Sequence, residues 1–176
     1  MKSNVPCAEY LQMSWIVDDL QEAMASWLAR TGTGPFFVME NLRPSPVHYR
    51  GEPTELEFHT ALAQAGPIQI ELIQQVTDGP SAYRDSIAPG TSGLHHLAVI
   101  VPDYENEIAL YRALGFVPAT EAIFGDIRYA YVDTRTGPTG CMIEVIEDNP
   151  GIRELFRTVS IAAQGWNGED PIRHLG

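Results

Sequence analysis

Apolar positions along this 176-residue chain alternate between a strand-like period and a helix-like one. The clearest instance is Gly93-Leu-His-His-Leu-Ala-Val-Ile-Val-Pro-Asp103, which reads as a turn, a buried strand rich in β-branched residues, and an aspartate placed to cap a helix. Strand alternation predicts His96, Ala98 and Ile100 on one face, and His95, Leu97, Val99 and Val101 on the other. Tyr104, Ile108 and Tyr111 then recur at helical spacing until Gly115 ends the helix. Near the start of the chain, Tyr10 to Val17 is another apolar run of strand length. Asp18 and Asp19 follow it, with Gln21 and Glu22 three residues after each, the pattern of a capping box. Leu20, Ala23, Met24, Trp27 and Leu28 make the helical stripe, which Thr31-Gly-Thr-Gly-Pro35 stops. Sliding one copy over the other by 84 positions puts Gln12 on His96, Val17 on Val101, Asp19 on Asp103 and Trp27 on Tyr111. The chain therefore carries an internal repeat of strand, helix and turn.

Both halves continue with three more strands. The first has Pro35 to Met39, Leu56 to Leu62 and, after the Ala65-Gly-Pro67 turn, Ile68-Gln-Ile-Glu-Leu-Ile73. The second has a short strand near Ala119 to Ile123, then Arg128 to Val132, a turn at Thr136 to Gly140, and Met142-Ile-Glu-Val-Ile146. The expected fold class is α+β: two paired βαβββ modules with cupped sheets around a metal site, followed by a C-terminal helix. The boundaries are 10–78 for the first module, 79–92 for a linker with a helical turn, 93–148 for the second module, and 149–176 for the helix and tail. Gln12 to Glu71 spans 59 positions and His96 to Glu144 spans 48, so the first half holds 11 extra residues, assigned to the loop Asn41 to Pro53 as a candidate lid or specificity segment. Ile152, Leu155, Phe156 and Val159 give the C-terminal helix its stripe, while the tail from Trp166 to Gly176 has no assigned place.

Composition narrows the partners. Eleven basic against 23 acidic residues give a formal charge of −12, which repels phosphate backbones and anionic lipid, so neither nucleic acid nor a membrane is an expected partner. No stretch has the length of a membrane span or the order of a signal peptide, and a cytoplasmic location is expected. Cys7 and Cys141 make neither a disulfide framework nor a thiolate metal site and read as reduced, buried thiols.

Four polar residues occupy equivalent places in the two repeats: Gln12 and His96 on the opening strands, Glu71 and Glu144 on the closing ones. A lone strand histidine is ordinarily structural, and a lone strand glutamate commonly faces solvent. Coincidence of all four across a repeat points elsewhere. If the cups pair by pseudo-symmetry the four converge, offering one imidazole nitrogen and three oxygens, two of them anionic. Such a shell suits one divalent ion (Zn, Co, Ni, Mn or Mg) and leaves positions for two substrate oxygens.

Gly93 to Asp103 resembles the second-module opening of methylmalonyl-CoA epimerases. Gln12 to Asp19 resembles the opening of the glyoxalase I type whose first ligand is glutamine. Both belong to the vicinal oxygen chelate superfamily of glyoxalases, bleomycin resistance proteins and dioxygenases, and the similarity covers roughly residues 10 to 147. The resemblance implies Gln12, Glu71, His96 and Glu144 as metal ligands, with Glu144 or Glu71 also moving the substrate proton. It implies a metal-dependent isomerase, epimerase or glyoxalase-type lyase acting through an enediolate on a small molecule or thioester with adjacent oxygens, and a homodimer. Lactoylglutathione lyase proper, an oxygen-using dioxygenase and a small-molecule sequestering protein are the alternatives. The departures are specific: Ile16 stands where the glutamine-type glyoxalases place a glutathione-gripping arginine, Gln75 where they place an asparagine, and Gln12 where epimerases place histidine. No cluster of Lys and Arg awaits coenzyme A phosphates, and only one of the two histidine positions of ring-cleaving dioxygenases is filled.

Of the remaining candidates, His95 is expected to point away from His96 and pack structurally, and His59 to serve structure before substrate. Phe36, Phe37, Phe58, Tyr129 and Tyr131 are expected in the core, some of them lining a cavity. Arg128 and Arg135 are expected in solvent, with a substrate carboxylate as the alternative, and His48 and His174 carry no assignment.

Overall fold

A computed structural model describes residues 6, 9–136 and 140–175 of the chain. Cys7 and the tip of the turn at Thr136 to Gly140 lie outside the described residues. The elements in chain order are β1 (Gln12–Ile16), α1 (Leu20–Thr31), β2 (Phe36–Leu42), β3 (Val47–Tyr49), β4 (Glu52–Pro53), β5 (Phe58–Ala65), β6 (Ile68–Gln75), β7 (Gly93–Val101), α2 (Tyr104–Ala113), β8 (Pro118–Phe124), β9 (Ile127–Val132), β10 (Met142–Glu147), α3 (Pro150–Ala163) and β11 (Ile172–His174). The fold is α+β. Its strands form one sheet in the order β11-β2-β5-β6-β1-β7-β10-β9-β8-β3-β4.

The repeat has a direct physical counterpart in this sheet. β1 and β7 pair antiparallel within the chain, with Gln12 opposite Ala98, Met13 opposite Leu97 and Ser14 opposite His96. Adding 84 to Gln12 and Ser14 gives His96 and Ala98, so the offset read from the sequence exchanges the two outer pairs and leaves Met13 and Leu97 at the pseudo-dyad. β6 lies parallel to β1 with Glu71 beside Ser14, and β10 lies parallel to β7 with Glu144 beside Ala98. Both closing glutamates are thereby carried to the centre of the sheet.

Both helices after the opening strands start where the sequence pattern predicts. Asp19 accepts from the Glu22 amide at 2.8 Å and Asp103 from the Asn106 amide at 3.1 Å, filling orphan donors of each first turn. α1 presses Leu20 and Met24 onto Val17, Phe36, Val38, Ala61, Ala63, Ile70 and Leu72. α2 presses Tyr104, Ile108 and Tyr111 onto Val99, Val101, Ala130, Val132, Ile143 and Val145. The opposite face of the sheet carries a separate cluster, including Phe58, Ile73, Tyr83, Ala98, Ile100, Tyr129, Tyr131, Met142 and Ile146. α3 begins at the Asn149 cap and reaches both halves on this face: Val159 packs against Phe37 and Leu62, and Ile152 joins the central cluster.

Two segments add to the expectations. The loop Asn41 to Pro53 is no free lid, since it holds β3 and β4, and β3 crosses to pair antiparallel with β8 of the other half. Arg50 (φ 50°) and Gly51 (φ 87°) make the two-residue turn between β3 and β4, a left-handed conformation that glycine adopts without strain. Arg50 then reaches Asp85 at 2.6 Å and Asp133 at 3.1 Å, and the Tyr49 hydroxyl donates to Asp85 at 2.6 Å, which ties the hairpin to the linker. The linker 79–92 holds helical turns, the Asp85 amide donating to the Ser81 carbonyl at 3.2 Å and the Ile87 amide to the Tyr83 carbonyl at 3.1 Å. The unplaced tail returns as β11 parallel to β2, with Leu175 packed beside Phe37 and Val159. Trp166 lies so close to Gly34 that a Cβ there would stand 2.7 Å from the indole ring. Among the described residues, no helix is long and apolar enough to cross a membrane.

Met24 is fully buried where α1 meets the sheet. Met24→Ala is expected to lower unfolding stability by about 2–5 kcal/mol, read as a lower urea midpoint with an unchanged slope.

Candidate metal centre

Glu71, His96 and Glu144 meet at the centre of the sheet, with one potential ligand atom from each lying within 4.8 Å of the others. His96 is fully buried, and its Nε2 stands 3.5 Å from Glu71 Oε2 and 3.3 Å from Glu144 Oε2. That nitrogen has no hydrogen-bond partner. Gln12 is buried beside them and lines the same cavity as Glu71 and Glu144, but its amide nitrogen donates to Gln69 at 2.7 Å. All four sequence-derived candidates thus come to one place, three of them as a compact set that could hold a metal ion.

The carboxylates differ in how they are held. Glu71 accepts from the Ser14 hydroxyl at 2.6 Å through Oε2 and from the Thr60 hydroxyl at 3.0 Å through Oε1. Burial pushes the Glu144 carboxyl above the usual range, against the pull of His96. Two nearly buried carboxylates without a cation would repel one another, so the set demands positive charge. In the protein alone His96 supplies it. Burial acts to lower its pKa, but the nearby carboxylates of Glu144 and then Glu71 outweigh burial and bring it up to about 9.

The largest correction to the sequence reading concerns His95, expected on the far face. The ladder between β1 and β7 shifts after Ser14, which pairs with His96, so that Trp15 pairs with Leu94 and His95 is skipped. This bulge breaks the alternation and turns both imidazoles the same way. His95 Nδ1 lies 2.9 Å from His96 Nδ1, and His95 Nε2 lies 2.9 Å from the Ala82 carbonyl oxygen. A carbonyl only accepts, so His95 carries its proton on Nε2 and presents the Nδ1 lone pair to His96. His96 in turn donates through Nδ1, and in its neutral form the Nε2 lone pair points at the two glutamates. An imidazole lone pair facing two anionic oxygens is repulsive unless a proton or another cation lies between them, so with His96 neutral the donor set fits a divalent metal. Burial, followed by the charge of His96, holds His95 down to about 3.

The cavity beside this set measures about 110 Å³. Its walls are largely apolar: Met39, Leu42, Phe58, Leu62, Phe124, Ile127 and Ile146 from the sheet and neighbouring turn, with Ile152, Leu155 and Phe156 of α3 closing one side. Tyr129 and Tyr131 also line it. The Tyr131 hydroxyl meets Tyr83 at 3.0 Å, whereas the Tyr129 hydroxyl is buried without a partner. Other candidates fall outside. His59 Nδ1 accepts from the Asn41 amide, Arg128 pairs with Glu105 and covers the Tyr104 ring, and Arg135 pairs with Asp133. Gln75 spends its amide on Thr77, Gly79 and Ser81, fixing the start of the linker. His48 sits on β3 and His174 on β11, while Cys141 is a half-buried free thiol.

Sequence reasoning missed Ser14, Gln69, Thr60 and His95. Ser14 and Gln69 were accessible by the period-two rule, being two positions from Gln12 and Glu71 on the same strands. Thr60 comes from a neighbouring strand and carries no such signal.

A proton on His96 is held more tightly in the folded chain, at about 9, than at the ordinary 6.5 of an unfolded one. Its contribution to stability is complete below pH 6.5 and is lost as pH rises through 9. Chelator-treated protein should therefore melt at progressively lower temperature across pH 6.5–9, and His96→Asn should flatten that slope in the same calorimetric series.

The family model for the Glyoxalase/Bleomycin resistance protein/Dioxygenase superfamily matches residues 11–131. A structure similar to this one is methylmalonyl-CoA epimerase from Mycobacterium tuberculosis, at 15% identity and a TM-score of 0.51, covering 88% of this chain and 97% of that one. A hypothetical protein from Bacillus halodurans C-125 is similar at 15% identity and a TM-score of 0.50, covering 80% of this chain and 94% of that one. No curated protein matches the sequence. At such identity the neighbours speak for the fold, and the family model, which spans well over half the residues, makes the chain a member of the glyoxalase/bleomycin resistance protein/dioxygenase superfamily.

Proposed function

We propose that this protein is a divalent-metal-dependent enzyme that moves a proton at the carbon beside a chelated carbonyl of a small molecule with adjacent oxygens, by way of an enediolate. In this reading Glu71, His96, Glu144 and Gln12 hold the metal. The observation that carries it is the convergence of the buried His96 Nε2 with two carboxylates, 3.5 and 3.3 Å away, beside a largely apolar cavity that both glutamates line. A bound divalent ion would supply Lewis acidity for the charge that develops as the proton leaves.

The chain's own residues divide the remaining work. Hydroxyls from Ser14 and Thr60 hold both oxygens of Glu71 in place, which suits a fixed ligand. Glu144 lies on the same cavity, and burial raises its basicity, which suits the group that takes and returns the proton. For Gln12 to present its amide oxygen, Gln69 must keep the amide nitrogen, as it does at 2.7 Å. His95 orients His96 through its hydrogen bond. The apolar residues of α3 keep bulk water from the reacting carbon. A ring-cleaving oxygenase would need a second imidazole on the metal, and His95 uses both its nitrogens elsewhere.

Protein purified without chelator is expected to hold about one divalent ion per chain, and His96→Ala to lose it. Full occupancy in that variant would refute the ligand assignment. Incubated in deuterated water with a panel of 2-substituted acyl thioesters, 2-hydroxy ketones and 2-oxo aldehyde adducts, the loaded enzyme should exchange the proton beside the carbonyl of its substrate. Glu144→Gln should slow that exchange by about 10²–10⁴ while keeping metal, and Glu71→Gln should cost less. Exchange at the wild-type rate in both variants would rule the mechanism out.

His95→Phe keeps the ring but removes the acceptor for His96 Nδ1. It is expected to weaken divalent-ion affinity by about 10–100-fold in a chelator competition. Unchanged affinity would show that His95 only packs.

A further inference from the structure

The cavity's walls say more about the substrate than the metal ligands do. Apart from Gln12, Thr60, Glu71 and Glu144, the polar groups on its lining are the tyrosine hydroxyls, and the rest is hydrocarbon, aromatic ring and the Met39 thioether. No lysine or arginine lines it among the described residues. The chain's single lysine is Lys2, outside the described residues. Four arginines sit next in sequence to lining residues, and each is already engaged: Arg43 with Glu57 at 2.8 Å, Arg128 with Glu105 at 2.6 Å, Arg153 with Asp148 at 2.7 Å and Arg157 with Glu154 at 2.8 Å. A substrate tail carrying carboxylates or phosphates would have to break such a pair or enter uncompensated, beside two glutamates and a chain of net charge −12. The inner space is about 110 Å³ against the ~300–1,000 Å³ of common ligand sites and it opens to solvent, so it holds the reacting head of a substrate.

The Tyr129 hydroxyl supplies the complementary observation. The residue lines the cavity and is 5% exposed, and its hydroxyl is buried in the wall with no hydrogen-bond partner. Leaving such a group unsatisfied costs about 1–3 kcal/mol, which a ligand oxygen would relieve. Burial, then the charges of Glu144 and Glu71, raises its pKa, so it stays protonated and can only gain by donating.

We infer that the cavity takes a small, uncharged compound with two adjacent oxygens and a compact alkyl or aryl body, of the 2-hydroxy ketone class, that Tyr129 donates a hydrogen bond to one of its oxygens, and that glutathione and coenzyme A conjugates are excluded. The inference rests on the metal-dependent reading above, with Tyr129 contacting substrate and Ile152, Leu155 and Phe156 limiting its size.

The test uses wild-type protein whose metal content has been measured, titrated calorimetrically with benzohydroxamic acid, an aryl probe with two adjacent oxygens that is neutral in solution and gives its N-hydroxyl proton to the buffer on chelation, and with a glutathione conjugate bearing the same head. The aryl probe is expected to bind at least about tenfold more tightly, with an affinity that does not change between low and high salt. Tyr129→Phe should weaken it about 3–10-fold, the value of one hydrogen bond, with metal content unchanged and the melting temperature of the ligand-free protein no lower. Phe156→Ala should admit a naphthyl hydroxamate that the wild type binds poorly. Equal or tighter binding of the conjugate, or loss of affinity with salt, would overturn the inference. If the wild type takes up no divalent ion, the metal-dependent reading fails. Ligand-observed NMR of 2-hydroxyacetophenone against the glutathione conjugate on the metal-free chain then decides the cavity's chemistry by the same ranking.

Discussion

Everything at the centre of this molecule depends on one antiparallel ladder. β1 and β7 have few residues to share, yet their pairing at Met13 and Leu97 joins the halves into one sheet and fixes the places of β6 and β10 on either side. Side chains alternate along each strand, so a slip of one residue would send Gln12 and Ser14 to the helix-covered face. The register is defended from behind, because Val17 and Val99 are seated under different helices and neither can move outward without exposing its cluster to water. Packing on the outer faces thus sets the positions of polar groups on the inner one.

Legibility in the sequence followed the same division. The repeat was plain because both opening strands run into an aspartate cap and a helical stripe, and those local patterns need no partner to be recognised. Gln12 and His96 came from the repeat offset, which the ladder reproduces, and Glu71 and Glu144 from their like places on the closing strands of the two halves. What escaped reading depended on contacts between distant segments. The bulge at His95 is a property of two strands together, and the crossing of β3 to β8 joins Val47 with Ala122, which no local pattern announces. Likewise the tail returns to β2 only because the sheet has an open edge there and Phe37 a free face.

The bulge also explains how one histidine can serve another. Alternation would have sent His95 toward α2; the skipped position instead sets two imidazoles edge to face, their centroids 5.2 Å apart, beneath Tyr131. A carbonyl of the linker anchors the outer ring, so the connection between the halves also orients the inner one. The linker is held in turn by Gln75 and by the Arg50, Asp85 and Tyr49 network. Segments that looked like mere connections are part of the support of the site.

The ends of the sheet have a consequence for how copies of this protein can meet. One edge is β4, two residues long, and the other is β11, three residues long. Pro53 removes a donor from the first, and charged Arg173 sits in the second. Edges this short offer a neighbour almost no backbone to zip against, so the sheet terminates itself and resists growing from chain to chain. An assembly made through side chains, on the helices or the faces around them, would leave undisturbed the strands that hold Glu71 and Glu144 together.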